Sequence, residues 1–286
     1  MATGLQEPRT AVPAIQPAAA TGSMLAEILW IAGRSLRKIT RNPTILFFSL
    51  MTPVIWLVLF SQMFARLFAR GAAGGLAIPY DYVAVMLPGV TTMTAIQSAS
   101  QSGFGMVADI ESGFMDKFFV SPIQRSSVLM GKLVADGFRM AVQAAVILLL
   151  AFVLRLIAGW RIPFATGIPG ALVVVVLTAL FGVAFSGLSN AVALRTKNTE
   201  ATMMVSFSLT MPLLFVSTAM LPKMLLPDWL QKFAAFNPVS YLADISRDLI
   251  LTGYNWPELG KAVLAIVILG GVLNGFAVAA FRAQGK

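Results

Sequence analysis

The sequence lacks cysteine and histidine altogether, and only 12% of its 286 residues are charged. Without cysteine there is no disulfide framework and no thiolate chemistry. The same two absences exclude catalysis by histidine or cysteine and a typical zinc site. Ser–Lys or carboxylate chemistry remains conceivable, but we expect no buried carboxylate in the apolar runs away from their ends.

A phosphate-binding loop of the form GxxxxGK[ST] is also missing. Gly131-Lys132 comes closest, but Ser126 stands where the first glycine is needed and Leu133 follows the lysine. The backbone cradle for nucleotide phosphates is therefore absent. The sequence predicts that this chain does not bind ATP by that route.

Apolar residues dominate what is present: 58% of the residues are hydrophobic, and the mean hydropathy is +0.82. Soluble domains contain fewer apolar and about twice as many charged residues, roughly 25%. The composition therefore predicts an integral membrane protein. The net charge of +9 fits basic loops that set membrane orientation better than a nucleic-acid surface.

An all-α polytopic membrane protein with six transmembrane helices is the predicted fold, since a bilayer core requires about 20 apolar residues per helix. The first 23 residues lack an apolar core segment and are predicted to be a disordered cytoplasmic tail rather than a signal peptide. The predicted spans are about 43–65, 82–106, 133–154, 168–193, 201–221 and 262–281.

Orientation follows from Lys and Arg. With the N-terminus inside, twelve basic residues lie on the cytoplasmic side and four on the two short outer loops. The long connection 222–261 adds four more basic residues on the outer side, so the cytoplasmic excess becomes smaller but is not reversed. Both termini are therefore predicted to be cytoplasmic.

Short amphipathic helices flank the spans. At 100° per residue, the helix at 24–41 separates apolar from basic residues, as expected for a helix in the membrane interface or packed on the protein. Outside, Pro227 is predicted to begin a short helix that Asn237-Pro238 ends, and a second helix follows to about Leu251. Asp244 and Arg247 are three residues apart in it and are expected to pair.

Small polar side chains repeat at helical spacing in two spans. Such stripes either line a substrate path or form hydrogen bonds between packed helices. The residues are Thr91, Thr94, Ser98, Gln101, Ser206 and Thr210. Gly182 with Ser186, and Gly271 with Gly275, are interpreted as packing motifs.

A balanced charge cluster, interleaved with Phe and Met, interrupts the apolar sequence at 109–132. Residues 107–120 predict a short cytoplasmic helix, and Ser121, Pro122 and Gln124 form a helix start for the third span. The mixed apolar and charged helix is typical of a docking surface for a soluble partner. The alternative is a helix lying on the inner leaflet, which its acidic residues disfavour because that leaflet is anionic.

On these residues the chain resembles permease subunits of the ABC-2 type transporter family, in the branch of daunorubicin-resistance-like and nodulation-type exporters. The first motif is Glu111-Ser112-Gly113-Phe114-Met115-Asp116-Lys117, followed by Ser121-Pro122, Arg125 and Gly131-Lys132. The second is Asn237-Pro238-Val239-Ser240-Tyr241 with Asp244 and Arg247. The resemblance covers about 24–284, and the implied transmembrane domain is 24–286.

The resemblance implies a coupling helix that docks on a separate ATPase, with residues Asp109, Glu111, Gly113, Met115, Asp116, Lys117 and Phe118, and a coupling turn with Ser121, Pro122, Arg125 and Lys132. It implies an outer gate of re-entrant helices with Asn237, Pro238, Tyr241, Asp244 and Arg247. Two permease subunits, alike or different, would pair with two ATPases. ATP and Mg²⁺ would bind to those ATPases, and this chain would bind no cofactor, metal or nucleic acid.

The expected function is export of a lipophilic drug, glycolipid or similar amphiphile across the cytoplasmic membrane, powered by the partner ATPase. Export of polysaccharide or lipid-linked glycan is the alternative within the same family. An ion-coupled secondary transporter or channel would instead move substrate without any ATPase. An intramembrane enzyme or a scaffold is the remaining alternative, and the missing nucleophile–base set argues against the enzyme.

Overall fold

The computed structural model describes residues 24–40, 43–69, 80–113 and 125–283, which form nine α-helices and one short 3₁₀ helix, with no β-strand in these ranges. The 3₁₀ helix is Lys223–Leu225. The α-helices, in chain order, are α1 Met24–Thr40, α2 Pro43–Ala69, α3 Tyr82–Glu111, α4 Arg125–Ile157, α5 Gly167–Thr196, α6 Thr199–Phe215, α7 Asp228–Ala234, α8 Pro238–Leu251 and α9 Trp256–Ala283.

Helices α3 and α5 form the centre of the bundle. Helix α5 packs on α9, α3 and α4, and α3 also contacts α2, α6 and α8. Glycine permits the closest crossings: a Cβ added to Gly103 of α3 would lie 2.0 Å from the Ser189 hydroxyl of α5, and one on Gly187 would lie 2.6 Å from the backbone nitrogen of Asn274. Larger side chains at these positions would force the helices apart.

The outer surface of the bundle is apolar, whereas hydroxyl-bearing side chains are buried inside. Phe138 and Leu149 of α4 and Leu264 and Val267 of α9 are all more than half exposed. In the described ranges three helical stretches are long and apolar enough to cross a bilayer: Ser127–Ile157, Gly167–Thr196 and Trp256–Phe281. A shorter apolar stretch, Ser49–Met63, lies in α2. This distribution is opposite to that of a soluble protein and confirms the predicted helical membrane class.

Helix α1 follows the predicted amphipathic pattern only in part. Ile31 and Ala32 are buried, whereas Leu25, Leu29 and Trp30 are exposed. The helix packs on α4, and it therefore uses one narrow apolar strip for this contact while a second strip stays uncovered by the chain.

Several helix ends differ from the sequence prediction. Asp109 and Glu111 belong to the last turn of α3 and not to a separate helix. Helix α6 ends at Phe215, before the predicted limit of the fifth span, because the following polar residues turn back: the Ser217 hydroxyl donates to the Leu214 carbonyl at 2.6 Å. Helix α9 begins already at Trp256, since the Asn255 side chain accepts from the Glu258 amide at 3.4 Å.

The two predicted packing motifs have different outcomes. Gly182 allows close contact, because a Cβ there would lie 2.2 Å from the sulfur of Met140. Gly271 and Gly275 are instead exposed, and within the described ranges a Cβ on either meets no atom within 4 Å. The α5–α9 contact uses Gly187 and Gly270 in their place.

Some predictions concern residues outside the described ranges. They are the disordered tail at 1–23, the outer loop residues 70–79, and the segment 114–124 that contains Met115, Asp116, Lys117, Phe118, Ser121 and Pro122.

Candidate functional site

The end of α3 meets α4 and α1 around one carboxylate. Asp109 Oδ2 lies 3.9 Å from the Lys132 ammonium of α4, and only 14% of the lysine side chain and 21% of the aspartate side chain are exposed. Arg34 of α1 is close enough to interact electrostatically with the same carboxylate, although burial has the larger effect and lowers the pKa of the guanidinium. Asp109 is thus engaged inside the chain.

The other described residues of the predicted docking surface are more open. Glu111 is exposed, and Gly113 is half-buried with a φ of 65°. This left-handed conformation favours glycine and ends α3. Arg125 is the first residue of α4. The Glu111 side chain is therefore accessible to a partner, whereas the Asp109 side chain is only partly exposed.

The glycine of the Gly131-Lys132 motif lies where α4 crosses α1. A Cβ on Gly131 would lie 2.7 Å from Cβ of Ile31 and 3.0 Å from the carbonyl oxygen of Ile28, both in α1. The glycine therefore permits α1 to cross closely over α4, and the adjacent lysine reaches Asp109.

The predicted substrate stripe is buried within the single chain. Thr91 and Thr94 donate from their hydroxyls to the carbonyls of Pro88 and Val90, each at 2.8 Å. The Ser98 hydroxyl donates to Gln143 of α4, and Gln101 is half-buried. The two threonine bonds lie within α3, and only the Ser98–Gln143 bond joins α3 to α4; a transport role for the stripe stays a prediction.

The two polar residues of α6 point to different partners. The Ser206 hydroxyl donates to the Ser189 hydroxyl of α5 at 3.3 Å, and Thr210 donates to the Ser206 carbonyl at 2.7 Å. Ser206 therefore contacts α5, whereas Thr210 is bonded within α6.

A buried polar cluster, formed by Ser98, Ser102, Asp136, Arg139 and Asn190, joins α3, α4 and α5. Arg139 Nη2 lies 3.2 Å from Asp136 Oδ1 and donates to the Ser98 carbonyl at 2.9 Å. Asp136 accepts from the Ser102 hydroxyl, to which Asn190 Nδ2 donates at 3.1 Å. Because each charge has partners, the pair persists in a low-dielectric interior.

Asp136 and Arg139 lie near the start of the predicted span 133–154, but the sequence did not predict that this carboxylate is buried between helices. Helix α4 begins at Arg125, so Asp136 lies about three turns inside it and is 7% exposed. The available signal was an acid–base pair three residues apart inside an apolar helix, and such residues mark functional positions by default.

At the opposite end of the bundle, α8 is attached to the end of α6. Asn237 accepts from the Val239 amide at 2.9 Å, which caps α8, and donates to the Leu213 carbonyl at 2.6 Å. The Ser240 hydroxyl accepts from the Thr218 amide at 3.2 Å. Pro238 occupies the first turn of α8, as the missing proline N–H permits.

The predicted Asp244–Arg247 pair is confirmed. Arg247 Nη1 donates to Asp244 Oδ1 at 2.8 Å, and Nη2 donates to the Thr218 carbonyl at 2.8 Å. Burial lowers the pKa of Arg247 and raises the pKa of Asp244, while the pairing opposes both shifts. Tyr241 donates to the Ala235 carbonyl at 2.8 Å. Together these bonds fix α8 on the α6 terminus; we call them the α6–α8 contact.

No metal-binding group of three or more acidic side chains occurs in the described part of the chain, which has no histidine or cysteine to add. The site residues are charged pairs, hydroxyls and amides that bind one another across helices. Such an arrangement positions helices and does not supply a nucleophile with its base.

The model of the ABC-2 type transporter family matches residues 26–251. The bundle with its apolar exterior and polar interior is that of a multi-pass membrane protein. The chain belongs to the ABC-2 type transporter family, as its resemblance predicted.

Curated relatives are similar along most of the chain. The daunorubicin resistance ABC transporter permease protein DrrB1 of Streptomyces coeruleorubidus is 27% identical over 93% of this chain and 88% of its own length. The probable doxorubicin resistance permease protein DrrC of Mycobacterium tuberculosis H37Rv is 25% identical over 92% and 89%. A putative transport permease, ycf38, of Cyanophora paradoxa is 25% identical over 79% and 74%. These relatives are transport permeases, and membership in their family implies an ABC ATPase partner in general.

Proposed function

We propose that this chain is the permease subunit of an ATP-driven exporter that moves a lipophilic drug, glycolipid or similar amphiphile out across the cytoplasmic membrane. The observation that carries the proposal is the family match over 26–251, on a bundle whose long helices expose apolar side chains. Two relatives are named for resistance to daunorubicin and to doxorubicin, which favours a lipophilic drug as cargo. ATP and Mg²⁺ bind to the partner ATPase, and this chain provides the path of the substrate across the membrane.

Six spans fit the proposal: α2, α3, α4, α5, α6 and α9. Helix α6 has 17 residues, at the lower limit for crossing a bilayer core. The buried Ser217 and Thr218 that follow it fit a re-entrant segment under α8. An even number of spans and the distribution of basic residues then put both termini in the cytoplasm.

The end of α3 and the residues after it form the proposed ATPase-docking surface. Its described part is the exposed Glu111 and the adjacent Gly113, and its further part includes Asp116. ATP-driven closure of two ATPase subunits would push on this segment and tilt the spans of two paired permeases. The α6–α8 contact, with Asn237, Tyr241 and Arg247, would form the gate at the outer surface.

Charge reversal tests the docking surface. The double variant Glu111→Lys, Asp116→Lys is reconstituted with its ATPase in proteoliposomes, and ATP-dependent accumulation of daunorubicin is followed by fluorescence. We expect transport to fall by about tenfold or more, as for truncated interface hot spots, with unchanged amounts of permease in the membrane. Asp228→Lys, an exposed reversal in α7, is the matched control and should transport normally.

Two results would contradict the proposal. Normal export by the double variant would refute the docking surface. Transport by the permease alone, driven by an ion gradient in liposomes without ATPase, would favour a secondary transporter. Replacing daunorubicin by a lipid-linked glycan in the same assay distinguishes the two cargo classes.

A further inference from the structure

Asp109 has a different environment from the docking residue that follows it by two positions. Its side chain is 21% exposed and lies 3.9 Å from the Lys132 ammonium, itself 14% exposed. Glu111 is exposed. Limited contact with water leaves the Asp109–Lys132 attraction less screened than that of a surface pair.

Lys132 reaches this carboxylate along the surface of α3. A Cβ added to Gly105 would lie 3.3 Å from the Lys132 ammonium, so the glycine leaves room for the lysine side chain. Helix α4 is thereby held to the last two turns of α3 by a long side chain that lies on it.

A third helix, α1, also lies close to the Asp109 carboxylate. Arg34 of α1 interacts electrostatically with Asp109, and one turn of α1 earlier, Ile31 packs over Gly131, the residue before Lys132. Helices α1, α3 and α4 therefore meet at one carboxylate, two cations and one close glycine crossing.

We propose that Asp109 is a positioning residue that holds α3 to α4 through Lys132, beside the glycine crossing that joins α4 to α1, rather than a residue that docks the ATPase. The inference rests on the proposed function and refines it. A push on the segment after Glu111 then moves three helices as one unit, because the Asp109–Lys132 contact joins α3 to α4 and the close crossing at Gly131 joins α4 to α1. Without the contact, α3 is displaced while α1 and α4 lag behind.

The contact itself is tested in the full-length chain, purified in detergent without any ATPase. Thermal unfolding is measured for Asp109→Ala, Lys132→Ala and the double variant. For a true pair the double variant should be about 2 °C more stable than the sum of the single losses predicts. The control cycle of Glu111→Ala with Lys132→Ala should be additive. Additivity in both cycles overturns the proposal.

The positioning role is tested in the assembled complex by the ratio of transport to ATP hydrolysis. Asp109→Ala should lower this ratio about threefold to tenfold, the range of one coupled contact, while the ATPase still co-purifies. Asp109→Glu keeps the charge and should restore the ratio to within about twofold of the original.

Loss of ATPase co-purification in Asp109→Ala, or an unchanged ratio, refutes the positioning role. If the unaltered permease binds no ATPase, the proposed function fails instead, and the unfolding cycle in the isolated chain still decides whether Asp109 joins the helices.

Discussion

Two Asp–Arg pairs with the same spacing lie at different depths of this molecule. Asp136 and Arg139 belong to α4, and Asp244 and Arg247 belong to α8. In both, the arginine Nη2 also donates to a backbone carbonyl of a neighbouring element, Ser98 at 2.9 Å and Thr218 at 2.8 Å. The local motif is the same, and its surroundings are not.

The difference lies in the carboxylates. The Asp136 side chain is 10% exposed and accepts from Ser102, whereas the Asp244 side chain is 42% exposed. Both arginines have side chains that are 12% exposed. Water and Arg247 together stabilise the Asp244 carboxylate, whereas Arg139 and Ser102 stabilise that of Asp136. The same four-residue motif thus forms a closed cluster in the bundle and a half-open clamp at its end.

Removal of the two carboxylates should give the largest difference in unfolding free energy between the pairs. Asp136→Ala leaves the Arg139 charge buried without its partner, which we expect to cost about 3–5 kcal/mol of unfolding free energy. Asp244→Ala should cost less, about 2 kcal/mol, because water can enter the space that the 42% exposed Asp244 side chain leaves and solvate the Arg247 guanidinium. Thermal unfolding of the purified chain in detergent measures both. The exposed Asp228→Ala is the control, and equal losses for the two pairs would show that exposure does not decide the effect.

A second variant tests how rigidly the segment after α6 is held against α3. A Cβ on Gly89 would lie 1.7 Å from the Ala219 carbonyl oxygen, so Gly89→Ala must displace backbone and should cost about 1–3 kcal/mol. Gly271→Ala, with nothing within 4 Å, should be neutral or slightly stabilising, since alanine favours helix. Identical unfolding temperatures for the two variants would contradict the close approach.

The smallest expected effect concerns the contact that both pairs make from the arginine to a backbone carbonyl. A lysine at either position keeps the charge but lacks the planar guanidinium that contacts both the carboxylate and the backbone carbonyl, through Nη2 alone in Arg139 and through Nη1 and Nη2 in Arg247. Arg139→Lys and Arg247→Lys should each cost about 1–2 kcal/mol, the value of one charged hydrogen bond. A loss confined to one variant would mean that the two carbonyl contacts are not equivalent. Lys261→Arg, at an exposed cation, serves as the control.

Local patterns predicted those parts of the site whose partners are close in sequence. The Asp244–Arg247 pair needs only a helix and a spacing of three, and the cap of α8 needs only Asn237-Pro238. Apart from its contact with Arg139, the contacts of Asp136 were not predictable in this way, because Ser102 is 34 residues away and Asn190 lies 88 residues from Ser102. Nor did the sequence reveal that Asp109 is engaged by Lys132.

The sequence by itself determined the membrane class, most of the helices and the family, because apolar length, helix caps and short motifs are encoded in neighbouring residues. Which charged and hydroxyl side chains meet was decided only by the tertiary structure. The rotation and crossing of the helices set those contacts, and they depend on glycines such as Gly103, Gly131 and Gly187 whose partners lie in other helices. A pattern along one helix gives the face on which a polar group lies, but only packing gives the group that it binds.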